Sequence, residues 1–274
     1  MSKRIKRLII ICIGILIFIL SPFFELVKSM AVMGVYSSIH KTESLLESEN
    51  IKLKIPGGLS TPQADWYPFV MTFSADGAYR AFANEPDARL TIMYNFPAFA
   101  YTKGCSRLFD RDSAYYNGFY GAYIARDSGN DMLLQGKLDA DHAANIARFD
   151  FFKLVLGDFG LTSEQEEFSF EIEELTENVP YVGYDGWTRI HTSMTVNGAA
   201  HNRKPDVMSY LQYGKPNFGE ISDEFASTAM YGIIYARYFP EKDVGIYFYV
   251  MAGSEEICIA CDEDILSKSV LERV

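Results

Sequence analysis

The chain has 274 residues, 49% hydrophobic and 15% aromatic, which excludes a wholly disordered polypeptide because so much apolar surface closes a core. Its 36 acidic and 25 basic side chains give a net charge of −11, and such a surface repels phosphate backbones, which speaks against nucleic acid as a partner. Leaving out the four cations within residues 1–7, 36 acids stand against 21 bases, a charge of −15 for the remainder.

Lys3, Arg4, Lys6 and Arg7 precede an apolar run, residues 8–20, that contains no charge. Ser21-Pro22 interrupts it, and Phe23-Phe24 prolong it up to Glu25. Cations followed by such a run predict a membrane anchor or a secretory signal over 8–27, with residues 1–7 cytoplasmic. The expected product is a single-pass membrane protein with its C-terminal part outside the cell. Small residues at Ser29 and Ala31 offer cleavage near Ala31 as the alternative, which makes the product secreted. The chain contains no Asn-x-Ser/Thr sequon, in keeping with a bacterial envelope.

Residues 28–50 read as a polar juxtamembrane segment, linker or helix, and residues 51–274 as one extracytoplasmic domain. Within it, 51–55 alternates as a half-buried strand, and 66–73 and 89–95 read as further strands. Asp76-Gly77 and 84–87 mark turns between them. Residues 115–126 are dense in aromatics, with Gly118 and Gly121 allowing a bulge.

Asp139 or Asp141 caps a helix expected to run to about 156, its apolar positions Ile146, Phe149, Phe152 and Val155 forming one stripe. Residues 168–174 alternate, and 186–196 is another strand leading to an Asn197-Gly198 turn. The stretch 199–222 reads as a long loop. Residues 228–239 and 244–252, apolar on both faces, predict a hairpin at the centre of a sheet covered on both sides. A helix is expected from Asp262 to the end. The fold class is therefore α+β, a largely antiparallel sheet with two or three packing helices, preceded by one N-terminal transmembrane or signal helix.

Three groups of residues are candidates for function. Cys258-Ile-Ala-Cys261 has the spacing of a thiol–disulfide site. With Cys105 it also supplies the partners of a structural disulfide suited to an oxidising compartment. The acids at 255, 256 and 262–264 disfavour a thiolate there. His191 shares alternate positions of a strand with Trp187, Arg189, Ser193 and Thr195, a row able to line a polar pocket. Tyr115, Tyr116, Tyr120 and Tyr123, with Tyr181, Tyr184 and Trp187, have the make-up of an aromatic platform for a sugar or a peptide. Asp139-Ala-Asp141-His142 is explained by helix capping, so no metal site and no cofactor are expected. No hydrolase signature of the G-x-S-x-G kind accompanies any serine.

These residues lead to a membrane-tethered extracytoplasmic protein that binds an envelope protein or polymer, or supports an envelope assembly. The alternatives are a hydrolase of cell-wall or extracellular polymers and a thiol–disulfide protein.

Overall fold

A computed structural model describes residues 2–57, 70–100, 105–106, 112–127, 133–134, 137–155, 163–197 and 226–272. Of the sequence expectations, the 199–222 loop, the Asn197-Gly198 turn beyond Asn197 and the strand portion 66–69 lie outside the described residues.

Helices α1 (Lys3–Ile19) and α2 (Pro22–His40) open the chain, followed by a short α3 (Leu45–Ser48) and strand β1 (Lys52–Lys54). Then come β2 (Met71–Ser74), α4 (Asp76–Ala83), β3 (Arg89–Asn95), the minor strands β4 (Phe99–Ala100) and β5 (Cys105–Ser106), and β6 (Phe119–Arg126). The minor strands β7 (Leu133–Leu134) and β8 (Lys137–Leu138) precede α5 (Ala140–Phe149), which continues as a π-helical turn, Asp150–Val155. The chain then runs through β9 (Phe168–Tyr181), β10 (Tyr184–Val196), β11 (Thr228–Phe239), β12 (Val244–Ala252), α6 (Glu255–Asp264) and β13 (Val270–Glu272).

Seven strands form one antiparallel sheet in the order β2-β3-β6-β12-β11-β10-β9. After β6 the chain crosses to the far edge, and the meander β9–β12 returns until β12 pairs with β6. The protein is thus α+β with a large antiparallel sheet and several helices, as the patterning predicts.

All nine residues of β12 are buried. Tyr247, Tyr249 and Met251 join one core, and Ile246, Phe248 and Val250 the other. The first core lies under α2, α4 and α5, with Met33, Tyr79, Ile146 and Phe149 packed inside it. The second lies under α3, the β1–β13 pair and α6, with Leu45, Leu53, Leu271, Cys258 and Cys261 inside.

Within residues 28–50, Ser37 of α2 and Leu45 of α3 are fastened to the sheet. Ser37 Oγ donates to the Thr72 carbonyl at 3.1 Å and accepts the Thr72 N–H at 2.9 Å, fastening α2 to β2. Leu45 and Leu46 are buried, and the Leu45 N–H donates to Thr91 Oγ1 at 2.7 Å.

Two expectations need correction. Asp76-Gly77 opens α4 instead of a turn. The Asp76 carboxylate accepts the Leu90 N–H and the Arg89 guanidinium, both at 2.9 Å, which fixes a helix start beside β3. Asn84, in the left-handed region at φ 56°, ends that helix. The terminal helix begins seven residues before Asp262, because Ser254 caps it by accepting the Ile257 N–H. The segment expected to continue it is β13, whose alternation of exposed Val270, buried Leu271 and exposed Glu272 is that of a strand paired with β1.

The sheet is tightest where β3 passes β6. A Cβ at Gly121 would stand 1.8 Å from the Met93 carbonyl oxygen and 2.9 Å from the Tyr249 hydroxyl. Backbone on one side and a buried ring on the other leave no room to yield. Gly121→Ala is therefore expected to destabilise the fold by about 3 kcal/mol, read as a fall in the urea unfolding midpoint.

Candidate functional site

The tyrosine platform is not assembled. Tyr120 and Tyr123 point to opposite faces of β6: Tyr120 donates to the Pro56 carbonyl at 2.8 Å, and Tyr123 to Asp150 at 2.5 Å in the other core. Tyr115 and Tyr116 are half-buried in the turn before β6. Trp187 is fully buried against Tyr181, Phe239 and Phe248, so it belongs to the core instead of the polar row expected with it. Register shifts between β9 and β10 flank Trp187, and beyond them Arg189, His191, Ser193 and Thr195 remain half-exposed.

His191 does line a groove. Its floor is His191, Thr192, Tyr231, Gly232 and Ile233, and its walls are Glu173 of β9 and Glu255 and Cys258 of α6. The volume is about 280 Å³.

Two features build this groove. Asp262, on the buried side of α6, accepts the Tyr181 and Tyr235 hydroxyls at 2.7 Å each. The two tyrosine rings stack at 3.6 Å, so α6 is held over β9 and β11 at a fixed distance. At Gly232 a Cβ would meet Met251 Sδ and Thr192 Cγ2 at 2.8 Å, on the face of β11 turned to the first core and away from the groove. Finally, the irregularity in β9 opposite His191 and Thr192 turns Glu173 towards the groove, where it accepts the Ser193 hydroxyl.

The groove is electronegative. Glu174 pairs with Arg189 at 3.1 Å, which engages the one cation that alternates with His191 on β10. Among the described residues Glu171, Glu173 and Glu255 make no ion pair. Ser193 bonds to Glu173 and not to His191, so the described residues contain no hydroxyl nucleophile bonded to a histidine base in the groove.

Cys258 and Cys261 are free thiols inside α6, one turn apart on its buried side. Cys258 Sγ donates to the Tyr231 carbonyl at 3.3 Å. Burial pushes the Cys258 thiol up to about 12, with Glu255 and Asp262 adding to the shift, and burial raises Cys261 in the same direction. The side chain of Cys105 lies outside the described residues.

Sequence reading missed the buried acids that fasten the helices. Asp127, at the end of β6, bonds to His142 of α5, whose Nδ1 lies 2.6 Å from the Tyr247 hydroxyl; Tyr79 of α4 donates to Asp127 at 3.4 Å. All four side chains are buried. His142, noted in the sequence beside a helix cap, thus serves packing, with Asp139 as the cap itself. No group of three or more His, Cys, Asp or Glu able to hold a metal ion occurs among the described residues. No protein-family model, curated protein or solved structure matches this chain.

Two predictions follow from the buried acids and thiols. Burial lifts Asp150 from its ordinary value near 3.8 up to about 6, the Tyr123 hydroxyl partly opposing the rise. The folded state therefore holds a proton that the unfolded chain releases. The stability this brings is complete below pH ~4 and lost as pH climbs through 6, about 3 kcal/mol in all. Asp150→Asn should accordingly raise the thermal midpoint relative to the parent more at pH 7.5 than at pH 4.5. In the native protein without reductant, Cys258 and Cys261 should alkylate at least tenfold more slowly than in urea, read by mass spectrometry.

Proposed function

We propose that this chain is a membrane-tethered extracytoplasmic protein whose α+β domain binds a ligand or an envelope partner in the groove between α6 and strands β9–β11. The observation that carries the tether is α1. Its apolar side chains stand out from the domain, with Ile10 68% and Ile17 64% exposed, whereas the domain packs its own apolar residues into two cores. A helix apolar all round is matched to hydrocarbon and not to water. Among the described residues no helix is long and apolar enough to cross a membrane by itself; α1 has 17 residues, about 25 Å of helix, against a hydrocarbon layer of about 30 Å. In the proposed arrangement the apolar run continues past Ser21 into the first turns of α2, and the four leading cations hold the amino end in the cytoplasm.

Cleavage near Ala31 fits the packing poorly, because that position lies within α2 two residues before buried Met33. This favours the tethered form over the secreted one. The hydrolase reading keeps one support, the groove at His191. Redox cycling at Cys258 and Cys261 is disfavoured by burial and by their raised pKa values.

The tether is tested by fractionating cells that express the full chain and treating spheroplasts with protease. The chain should sediment with membranes, resist extraction by alkaline carbonate, and be digested from outside. A carboxyl-terminal reporter active only in the cytosol would overturn the reading.

A further inference from the structure

Strand β9 forms one edge of the seven-stranded sheet and is its longest strand, at 14 residues. Among the described residues its only strand neighbour is β10, so no described strand lies along its outer edge. The opposite edge is short and held by α2; β2 has four residues, and Ser37 occupies the N–H and C=O of Thr72.

The two sides of β9 differ in chemistry. On the side of the first core, Ile172 and Leu175 are 43% and 44% exposed, opposite Thr192 and Ile190 in the register. On the groove side stand Glu171, Glu173 and Glu174. The strand carries four glutamates, Glu177 being the fourth, and no lysine or arginine. Charges on an edge commonly guard it against aggregation. Guarding alone does not account for exposed Ile172 and Leu175 on the same strand, nor for a groove opening beside Glu173 with a second glutamate, Glu255, on its far wall.

We infer that the β9 edge accepts an extended, lysine- or arginine-bearing segment of a partner protein. The segment adds to the sheet as an eighth strand and places one cationic side chain in the groove between Glu173 and Glu255. Backbone pairing supplies affinity, and the alternation of the incoming strand supplies specificity. Its apolar residues cover Ile172 and Leu175 while its cations meet the glutamates. A second copy of this chain is the poorer occupant, since pairing β9 with itself sets glutamates against glutamates. The inference rests on the domain being a binding module, and it is independent of the tether.

The test uses the full chain in detergent micelles and fluorescent twelve-residue peptides read by anisotropy. The probe alternates lysine with valine. It should bind, and its dissociation constant should rise at least tenfold when glutamate replaces lysine. A similar rise is expected when the amides along one edge of the peptide are N-methylated, and in the Glu171→Gln/Glu173→Gln chain, whose exposed substitutions leave the fold intact. Binding should weaken as salt rises. Absence of binding, equal affinity for the methylated and glutamate peptides, or a stable dimer that excludes the peptide would each overturn the inference. Because the assay is made in micelles, its failure leaves the tether standing, and a cytosolic reporter leaves peptide binding standing.

Discussion

Strand β12 has no face left for water. Its nine residues are all buried, and a strand in that position requires cover above and below the sheet. The rest of the architecture answers that requirement. Helices α2, α4 and α5 close one side, while α3, α6 and the β1–β13 pair close the other. The long meander from β9 carries β11 and β12 from the far edge back to β6, so that the most apolar strands finish in the middle.

Many of the buried aromatics are tyrosines, and their hydroxyls have to be satisfied inside the cores. The protein does this with acids taken from the covering helices. Asp150 at the end of α5 receives Tyr123, and Asp262 of α6 receives both Tyr181 and Tyr235. The Asp127–His142 pair draws Tyr79 and Tyr247 together and so joins α4, α5 and two strands. Each bond fixes a helix at one place on the sheet. The groove beside His191 lies next to that anchor, where Asp262 ties α6 to Tyr181 of β9 and Tyr235 of β11.

The sequence made parts of this legible and hid others for identifiable reasons. β3, β11 and β12 run where their apolar runs and flanking turns say they should, because nothing in those segments competes with the strand. α4 was hidden because Asp76-Gly77 resembles a turn, and only the distant Arg89 and Leu90 make Asp76 a helix start. The length of β9 was hidden by four glutamates and Pro180, residues tolerated on an edge but rare in a central strand. Tyr120 and Tyr123 are separated by three positions, which in a strand sends them to opposite faces. Of the aromatic and polar candidates, His191 lines the described groove, alongside Cys258. Glu173 entered it through an irregular register that no alternation pattern encodes.

The central position of β12 also dictates when this sheet can be completed. Its partner β6 ends at Arg126, whereas β12 begins at Val244, so more than a hundred residues must emerge before the two can meet. Until then neither core can be sealed, because β12 supplies residues to both. Contacts this distant in the chain are slow to form and leave sticky surface uncovered in the meantime. In a polypeptide of this design, the two cores close together, once β12 is in place.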